Sequence, residues 1–91
     1  MLLNKLNELG FKKYKNQMEK LLEYPGDRAT FTIVYRIEQQ DFFIIRHGLT
    51  NDIEIKEEDL LNNRLNTHAS RWLQDFKEKL KNFNVKFSYG E

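Results

Sequence analysis

The chain has no cysteine, and this absence excludes several kinds of chemistry at once. Disulfide frameworks, thiolate zinc sites and cysteine nucleophiles all require a residue that is missing here. A small domain without disulfides is typical of a reducing compartment. No apolar run approaches the roughly 18 residues of a membrane helix, and the first segment, MLLNKLNELG, lacks the apolar stretch of a signal peptide. We therefore expect a cytoplasmic protein that does not bind membranes.

Glycine, proline and charge of one sign are also scarce. The four glycines stand apart from one another, so the chain contains no glycine-rich phosphate loop. Fifteen Lys and Arg residues against fourteen Asp and Glu residues give a net charge of +1. A dedicated nucleic-acid-binding protein usually carries a strong basic excess. The near-neutral balance therefore favours other kinds of partner.

Aromatic residues, in contrast, are plentiful. Seven Phe, four Tyr and one Trp occur in 91 residues, and each large ring contributes much buried area to a small core. A chain of this length has room for one hydrophobic core but not for two. We expect a single domain over residues 1–91.

The N-terminal quarter of the chain predicts a helix over residues 2–22. Its apolar residues recur at helical spacing, among them Leu3, Leu6, Met18 and Leu21. Gly10 allows two interpretations: it ends a short first helix in a left-handed conformation, or it lies inside one long helix at a cost of about 1 kcal/mol relative to Ala. We favour the single helix, which the Tyr24-Pro25-Gly26-Asp27 turn would end.

Two segments rich in β-branched and aromatic residues predict an antiparallel hairpin. They are Ala29–Ile37 and Phe42–His47, joined by a short polar turn. Shorter alternating patterns predict a third strand at Ile53–Lys56 and a final strand through Val85, Phe87 and Tyr89.

A second helix is predicted from Arg64 to about Asn82. Its apolar positions form one stripe at helical spacing, consisting of Leu65, Ala69, Trp72, Leu73, Phe76, Leu80 and Phe83. We expect Trp72 to be fully buried against the sheet. The preceding segment, residues 57–63, fits either a helix start or a loop. The predicted fold is α+β in the order α-β-β-β-α-β, an antiparallel sheet with helices packed on it.

The register of the hairpin decides which side chains share a face, because a shift of one residue moves every side chain to the other side. A two- or four-residue loop pairs Tyr35 with Ile44 and places Arg46 among apolar side chains. A three-residue loop pairs Tyr35 with Ile45. It gathers the apolar side chains on one face of the sheet and leaves a mixture of apolar and polar side chains on the other, so we favour it. Since the loop has no glycine for a left-handed position, Gln40 or Asp41 would have to adopt that conformation.

This register leaves a second face on which apolar side chains have arginines at their margin. Apolar centres with arginine are typical of interaction surfaces, and two helices with one sheet most simply make two layers. We therefore predict a partner-binding surface, with another protein or a second copy of the chain as its partner, formed by Val34, Arg36, Phe42, Ile44 and Arg46. The alternative is that the helices cover both faces and these side chains are core.

Few residues in the chain suit catalysis or metal binding. The histidines, His47 and His68, form no metal-binding motif, and Glu57-Glu58-Asp59 lacks the spacing of a calcium loop. We expect no metal, no cofactor and no enzymatic activity. The enzyme alternative is a small metal-independent ribonuclease of the toxin type, whose acid–base groups and phosphate clamp would come from His47, His68, Arg46, Arg71 and Tyr89.

The predicted order α-β-β-β-α resembles that of double-stranded RNA-binding domains, in topology alone. Those domains place a lysine-rich segment at the start of their second helix, where this chain has NNRLNTHASRW without a lysine pair. An RNA- or DNA-binding module is therefore the alternative. Our main expectation is a small regulatory protein that binds another protein, of the kind found among phage or mobile-element accessory proteins and inhibitors.

Overall fold

The computed structural model describes residues 1–62 and 67–89. Five strands form one antiparallel sheet: β1 (Lys12–Tyr14), β2 (Gln17–Leu22), β3 (Thr30–Arg36), β4 (Asp41–His47) and β5 (Asp52–Ile55). The helices are α1 (Leu2–Glu8), α2 (Glu57–Asn62) and α3 (Thr67–Lys79), followed by a 3₁₀ turn at Lys81–Phe83. The predicted α+β class, with helices packed on an antiparallel sheet, is confirmed.

The single long N-terminal helix is wrong, because the helix ends at a glycine. The backbone N–H of Gly10, whose φ is +96°, donates to the carbonyl of Asn7. The N–H of Phe11 donates to the carbonyl of Leu6 at 3.0 Å, and both of these side chains are buried. This pair of hydrogen bonds, with an apolar contact across it, is the Schellman motif that ends helices. The chain then turns into β1 and β2, which occupy the segment predicted as the rest of the helix.

The sheet is a simple meander in which each strand pairs with the next one along the chain. Near its end the chain returns to β4, where the N–H of Phe42 donates to the carbonyl of Lys86 and the N–H of Ser88 donates to the carbonyl of Phe42. The final strand predicted at Val85–Tyr89 is thus reduced to one parallel bridge, between Phe42 and Phe87.

The hairpin between β3 and β4 adopts neither of the two registers considered. Tyr35 pairs with Phe42 and Arg36 with Asp41, so four residues, 37–40, connect the strands. Gln40 takes the left-handed conformation, with φ +58°, and its N–H donates to the carbonyl of Arg36 at 2.8 Å. Compared with the two- or four-residue loop that was not favoured, the pairing is shifted by two residues. A shift of two keeps each side chain on the face that it has in that register.

One face of the sheet carries the hydrophobic core. Its β3 and β4 side chains are almost inaccessible to solvent and belong to one cluster with residues from all three helices. From the sheet the cluster contains Met18, Leu22, Phe31, Ile33, Tyr35, Phe42 and Ile44, from the helices Leu6, Leu60, Ala69, Leu73 and Phe76, and from the residues that follow α1 and α3 Phe11 and Leu80. Sheet and helices therefore make two layers.

The apolar stripe predicted along the second helix is confirmed in part. It is wrong at Phe83, which is 37% exposed in the 3₁₀ turn, because α3 ends at Lys79 and not near Asn82. Ala69, Leu73, Phe76 and Leu80 are buried, whereas Trp72 is only partly buried and lies at the edge of the core. Its indole stacks on the ring of Phe76, with 4.6 Å between centroids. Leu65 and Arg64, which the sequence placed in the same helix, lie outside the described residues.

None of the helices within residues 1–62 and 67–89 has the length and hydropathy that crossing a membrane requires.

Candidate binding site on the open sheet face

The candidate site is the sheet face that points away from the helices, here called the open face. Strand pairing assigns its side chains, because residues directly opposite each other share a face. Its apolar and aromatic members are Tyr14, Leu21, Val34, Phe43 and Ile45. Its charged and ionisable members are Lys12, Glu19, Arg36, Asp41, His47, Asp52 and Glu54.

The apolar members form a partly exposed centre on this face. Tyr14 is 52% and Leu21 54% exposed, while Phe43 and Ile45 are half-buried. Val34 lies between them and is only 1% exposed, although it is not part of the core cluster. The rest of the apolar centre is therefore partly exposed to solvent.

At one end of the open face two residues, Arg36 and Ser88, donate hydrogen bonds to a buried carboxylate. Asp41 accepts hydrogen bonds from Arg36, with Nε–Oδ1 at 2.8 Å, and from the Ser88 hydroxyl at 2.7 Å. The Arg36 guanidinium also lies 5.4 Å from the centroid of the Phe43 ring. The hydrogen bond from Arg36, with a smaller contribution from Ser88, lowers the pKa of Asp41 below its usual value. This cluster ties the C-terminal segment to the β3–β4 hairpin.

The lowered pKa of Asp41 makes part of the stability pH-dependent. Because the folded state holds this proton less tightly than the unfolded state, the stabilisation is complete above the unfolded pKa of about 3.9. It is lost as the pH falls through the lower folded-state pKa. We expect Asp41→Asn to lower the free energy of unfolding at pH 7 by about 1.5–3 kcal/mol, and to flatten its decline below pH ~4.

Urea denaturation across a pH series measures both effects. Asp75→Asn is the matched control, because the Asp75 side chain is 61% exposed in an ion pair with Lys79. The control should keep the acid decline of the natural chain. An Asp41→Asn variant with the same pH profile as the natural chain would contradict the assignment.

Toward the other end of the open face a histidine connects a hydroxyl to a carboxylate. His47 Nε2 lies 2.7 Å from Thr32 Oγ1, and His47 Nδ1 lies 3.1 Å from Asp52 Oδ1. Thr32 is 8% exposed, whereas the Asp52 side chain is 60% exposed. Three adjacent strands, β3, β4 and β5, therefore hold this row in place. In this order the imidazole can accept a proton from the hydroxyl while the carboxylate orients the imidazole ring.

A concavity of about 550 Å³ opens beside this row. Tyr14, Leu21, Thr32 and His47 contribute to its lining, together with Gly10, Lys12, Glu19 and Lys20. Its size falls within the range of small-molecule sites. The lining residues on the open face include aromatic Tyr14, aliphatic Leu21, basic Lys12 and His47.

Charge is separated between the two edges of the sheet. The β1–β2 hairpin, residues 12–20, has four Lys and one Glu, whereas β5 and the start of α2, residues 52–59, have five acidic residues and one Lys. Four strand spacings, about 19 Å, lie between the two edges. The net charge of +1 therefore conceals a strong polarity across the sheet.

The five residues predicted to form one partner surface do not share a face. Val34 and Arg36 lie on the open face, but Phe42 and Ile44 are 0% exposed in the core. Arg46 stands on the helix side, at an exposed strand end. The cause is the register: pairing Tyr35 with Phe42 turns Phe42 and Ile44 inward and brings Phe43 and Ile45 outward.

The residues considered for a ribonuclease are dispersed. His47 and Arg46 line a second concavity of about 460 Å³ beside Arg28. His68 instead binds Asp27 through Nδ1, at 3.1 Å, where the Asp27 carboxylate also accepts the N–H of Ala69 at the start of α3. Arg71 is exposed on α3, and Tyr89 is half-exposed beneath the ammonium of Lys56.

Sequence reasoning missed Tyr14, Leu21, Thr32 and Asp52 as parts of the site. Tyr14 and Leu21 were assigned to a helix that does not exist. The signal that could have found them is Gly10 followed by apolar Phe11, since a Schellman motif has this pattern at its C′ and C″ positions.

No three His, Asp or Glu side chains come together as a metal site in the part of the chain that the structure describes. Glu57, from the acidic run, forms an ion pair with Lys77. We expect EDTA to leave the melting temperature unchanged, because structural metal sites need converging ligands. A fall of several degrees that one divalent ion reverses would contradict this prediction. Thermal melting with and without chelator measures it.

The chain matches no protein-family model, and it shows no significant match to curated proteins or to solved structures.

Proposed function

We propose that this protein is a small, non-enzymatic, cytoplasmic binding protein of the regulatory or accessory kind, whose open face takes a protein partner. The observation that carries the proposal is the two-layer architecture: the helices contribute to the core on one side, while Leu21 and Tyr14 on the other side are more than half exposed. Hiding a large apolar side chain from water contributes roughly 1.5–3 kcal/mol. A partner would supply that cover.

The mixture of side chains favours protein over nucleic acid. The open face carries Lys12 and Arg36 but also four carboxylates, Glu19, Asp41, Asp52 and Glu54. A nucleic-acid surface needs an excess of cations to replace counterions at the phosphates, and this face has none. An apolar centre with charges of both signs around it is the usual anatomy of a protein interface.

The proposal is tested by changing one leucine on each side of the molecule. Leu21→Asp places a charge at the centre of the open face, and Leu3→Asp, on α1, is the matched control because Leu3 is also exposed, at 39%. Proteins that co-purify with the natural chain from its host are identified and produced in pure form. Their affinity for the three chains is then measured by calorimetry.

We expect Leu21→Asp to weaken binding at least tenfold, as hot-spot substitutions at interface centres do, and Leu3→Asp to bind like the natural chain. Circular dichroism should show both variants folded. Equal affinities for all three chains would overturn the open face as the binding surface.

The second candidate function is a metal-independent ribonuclease, favoured by the row of Thr32, His47 and Asp52 beside the concavity. His47 Nε2 would exchange its hydrogen bond with Thr32 for one with a ribose hydroxyl and act as the general base, since an imidazole is the commonest such group. Lys12, which lies on the same face and also lines the concavity, would hold the phosphate.

The test is cleavage of RNA in the presence of EDTA. If the chain is a ribonuclease, His47→Gln should lose at least about 100-fold in rate, whereas His68→Gln should retain full activity. Absence of cleavage by the natural chain, or equal rates for both variants, would eliminate this candidate.

A further inference from the structure

The second concavity lies at one end of the sheet, where two loops meet. Its volume of about 460 Å³ falls within the range of small-molecule sites. Arg28, from the loop between β2 and β3, and Arg46, near the end of β4, both line it together with His47. Arg46 pairs with Phe31, which follows Arg28 by three residues. Two separate segments of the chain therefore bring a guanidinium group to the same concavity.

Two carboxylates on the neighbouring segments, Asp27 and Asp52, each have another partner. Asp27 also lines the concavity, but its side chain is only 3% exposed. It lies 3.1 Å from His68 Nδ1 and accepts the N–H of Ala69 at 3.1 Å. Asp52 Oδ1 lies 3.1 Å from His47 Nδ1. These carboxylates therefore balance imidazole and helix N–H groups and not the arginines.

Arg28 and Arg46 form no ion pair within residues 1–62 and 67–89, whereas Arg36 is paired with Asp41. Two cations on one concavity repel each other, and an anion bound between them removes that repulsion. The planar guanidinium group binds phosphate through two parallel hydrogen bonds. A phosphate monoester carries a charge of about −1.5 to −2 at pH 7, which matches the two arginines.

Hydrogen bonds hold the backbone on both sides of the concavity. The N–H of Asp27, directly before Arg28, donates to the carbonyl of Tyr24 at 3.1 Å. The N–H of Gly48 donates to the carbonyl of Asn51 at 2.9 Å. This second turn is tight, because a Cβ at Gly48 would lie only 2.6 Å from the same oxygen. Such preorganised segments lose less conformational freedom when a ligand binds.

An exposed leucine stands at the same concavity. Leu49 is fully exposed and contributes to the lining. An organic group packed on this side chain would remove part of its apolar surface from water, whereas inorganic phosphate has no apolar surface to offer.

We propose that the second concavity binds a phosphate monoester. Arg28 and Arg46 hold the phosphate group, and Leu49 packs against the organic part of the ester. This inference goes beyond the proposed function, because it concerns a small ligand at the end of the sheet and not the protein partner of the open face.

The test is a titration followed by NMR of the backbone amides, in a chloride buffer of low ionic strength. The probes are inorganic phosphate, adenosine 5′-monophosphate and adenosine. We expect both phosphate-bearing probes to shift the amide signals of residues 46–49 in a saturable way. The dissociation constant for adenosine 5′-monophosphate should be about 1 mM or lower. Adenosine, which lacks the phosphate, should not shift these signals.

Three variants and a control separate the two parts of the site. Arg28→Gln and Arg46→Gln should each weaken the binding of both phosphate-bearing probes about tenfold, since each removes charge-assisted hydrogen bonds. Leu49→Ser should weaken the binding of adenosine 5′-monophosphate and leave that of inorganic phosphate unchanged. Lys13→Gln is the control, because it removes the same charge from an exposed position on β1, outside the concavity.

Several outcomes would overturn the inference. A natural chain that binds neither phosphate-bearing probe has no such site. Equal affinities of the natural chain and both arginine variants, or an equal loss in Lys13→Gln, would remove the arginines from it. A Leu49→Ser variant that binds adenosine 5′-monophosphate like the natural chain would make the ligand the free ion and not an ester. Amide shifts with single-stranded RNA alone would assign the arginines to a nucleic-acid backbone.

The proposed function fails separately. Leu21→Asp tests the open face through the affinity of a protein partner, and that measurement does not depend on whether the second concavity binds phosphate.

Discussion

Replacing Phe42 by Glu is expected to unfold the protein, whereas the same replacement at Phe43 is expected to leave it folded. Phe42 is 0% exposed and lies among four aromatic rings, with centroids between 4.7 Å and 6.5 Å away. Truncating such a side chain alone costs about 3–5 kcal/mol, and an unpaired charge in its place costs more. The total free energy of unfolding of a native protein is only about 5–15 kcal/mol.

Phe43 follows directly in the chain but points to the open face, where it is half-buried beneath Arg36. A carboxylate there reaches both water and the guanidinium. Far-ultraviolet circular dichroism and urea denaturation of the two variants measure the difference. A Phe42→Glu variant with an unchanged midpoint, or a Phe43→Glu variant that is unfolded, would show that the register between β3 and β4 is not the one described.

The second large effect is expected on α3, where two neighbouring residues differ in burial. Leu73 is 0% exposed in the core cluster, and Leu73→Ala should cost about 2–5 kcal/mol. Trp72 lies at the core edge and keeps part of its ring in water. Trp72→Ala should therefore cost less than the 3–5 kcal/mol typical of a fully buried aromatic side chain, because part of the indole is already in water and the rest packs on Phe76 and Phe11 at the core edge.

Tryptophan fluorescence provides an independent measurement of the same placement. A partly exposed indole should be quenched by acrylamide in the native state, and quenching should increase further when urea unfolds the chain. Native fluorescence that acrylamide does not quench would place Trp72 in the interior. A Leu73→Ala variant as stable as the natural chain would contradict the packing of α3.

The strands of the central hairpin could be predicted because local composition decides them. Thr30–Arg36 and Asp41–His47 differ from the predicted bounds by one residue at each changed end, since β-branched and aromatic residues dominate both segments. Residues 2–22 could not be assigned in this way. Apolar residues at helical spacing also occur there by coincidence, and the decisive feature is one left-handed glycine with tertiary packing of Phe11 behind it.

The faces of the sheet were predicted incorrectly for a different reason. The prediction favoured the register that places Ile45 on the same face as Tyr35, because that register separates apolar from polar side chains better. The structure instead closes the hairpin with the ion pair between Arg36 and Asp41. Asp41 also accepts a hydrogen bond from Ser88, 47 residues later in the chain. This additional contact favours the observed register over the one that separates apolar from polar side chains. Such a long-range contact leaves no mark on local sequence. The same holds for the row of Thr32, His47 and Asp52, which three separate strands bring together.

The meander has a consequence for how the chain acquires its structure. Every strand pairs with its sequence neighbour, so the sheet can grow hairpin by hairpin with short loops to close. Low sequence separation between contacts is associated with fast folding, and single hairpins form in about 1–10 µs. The contact of residues 86–88 with Phe42 closes by far the longer loop. Docking of the C-terminal segment is therefore expected as the last event of folding and the first of unfolding. The hydrogen bond from Ser88 to Asp41 forms in that last step.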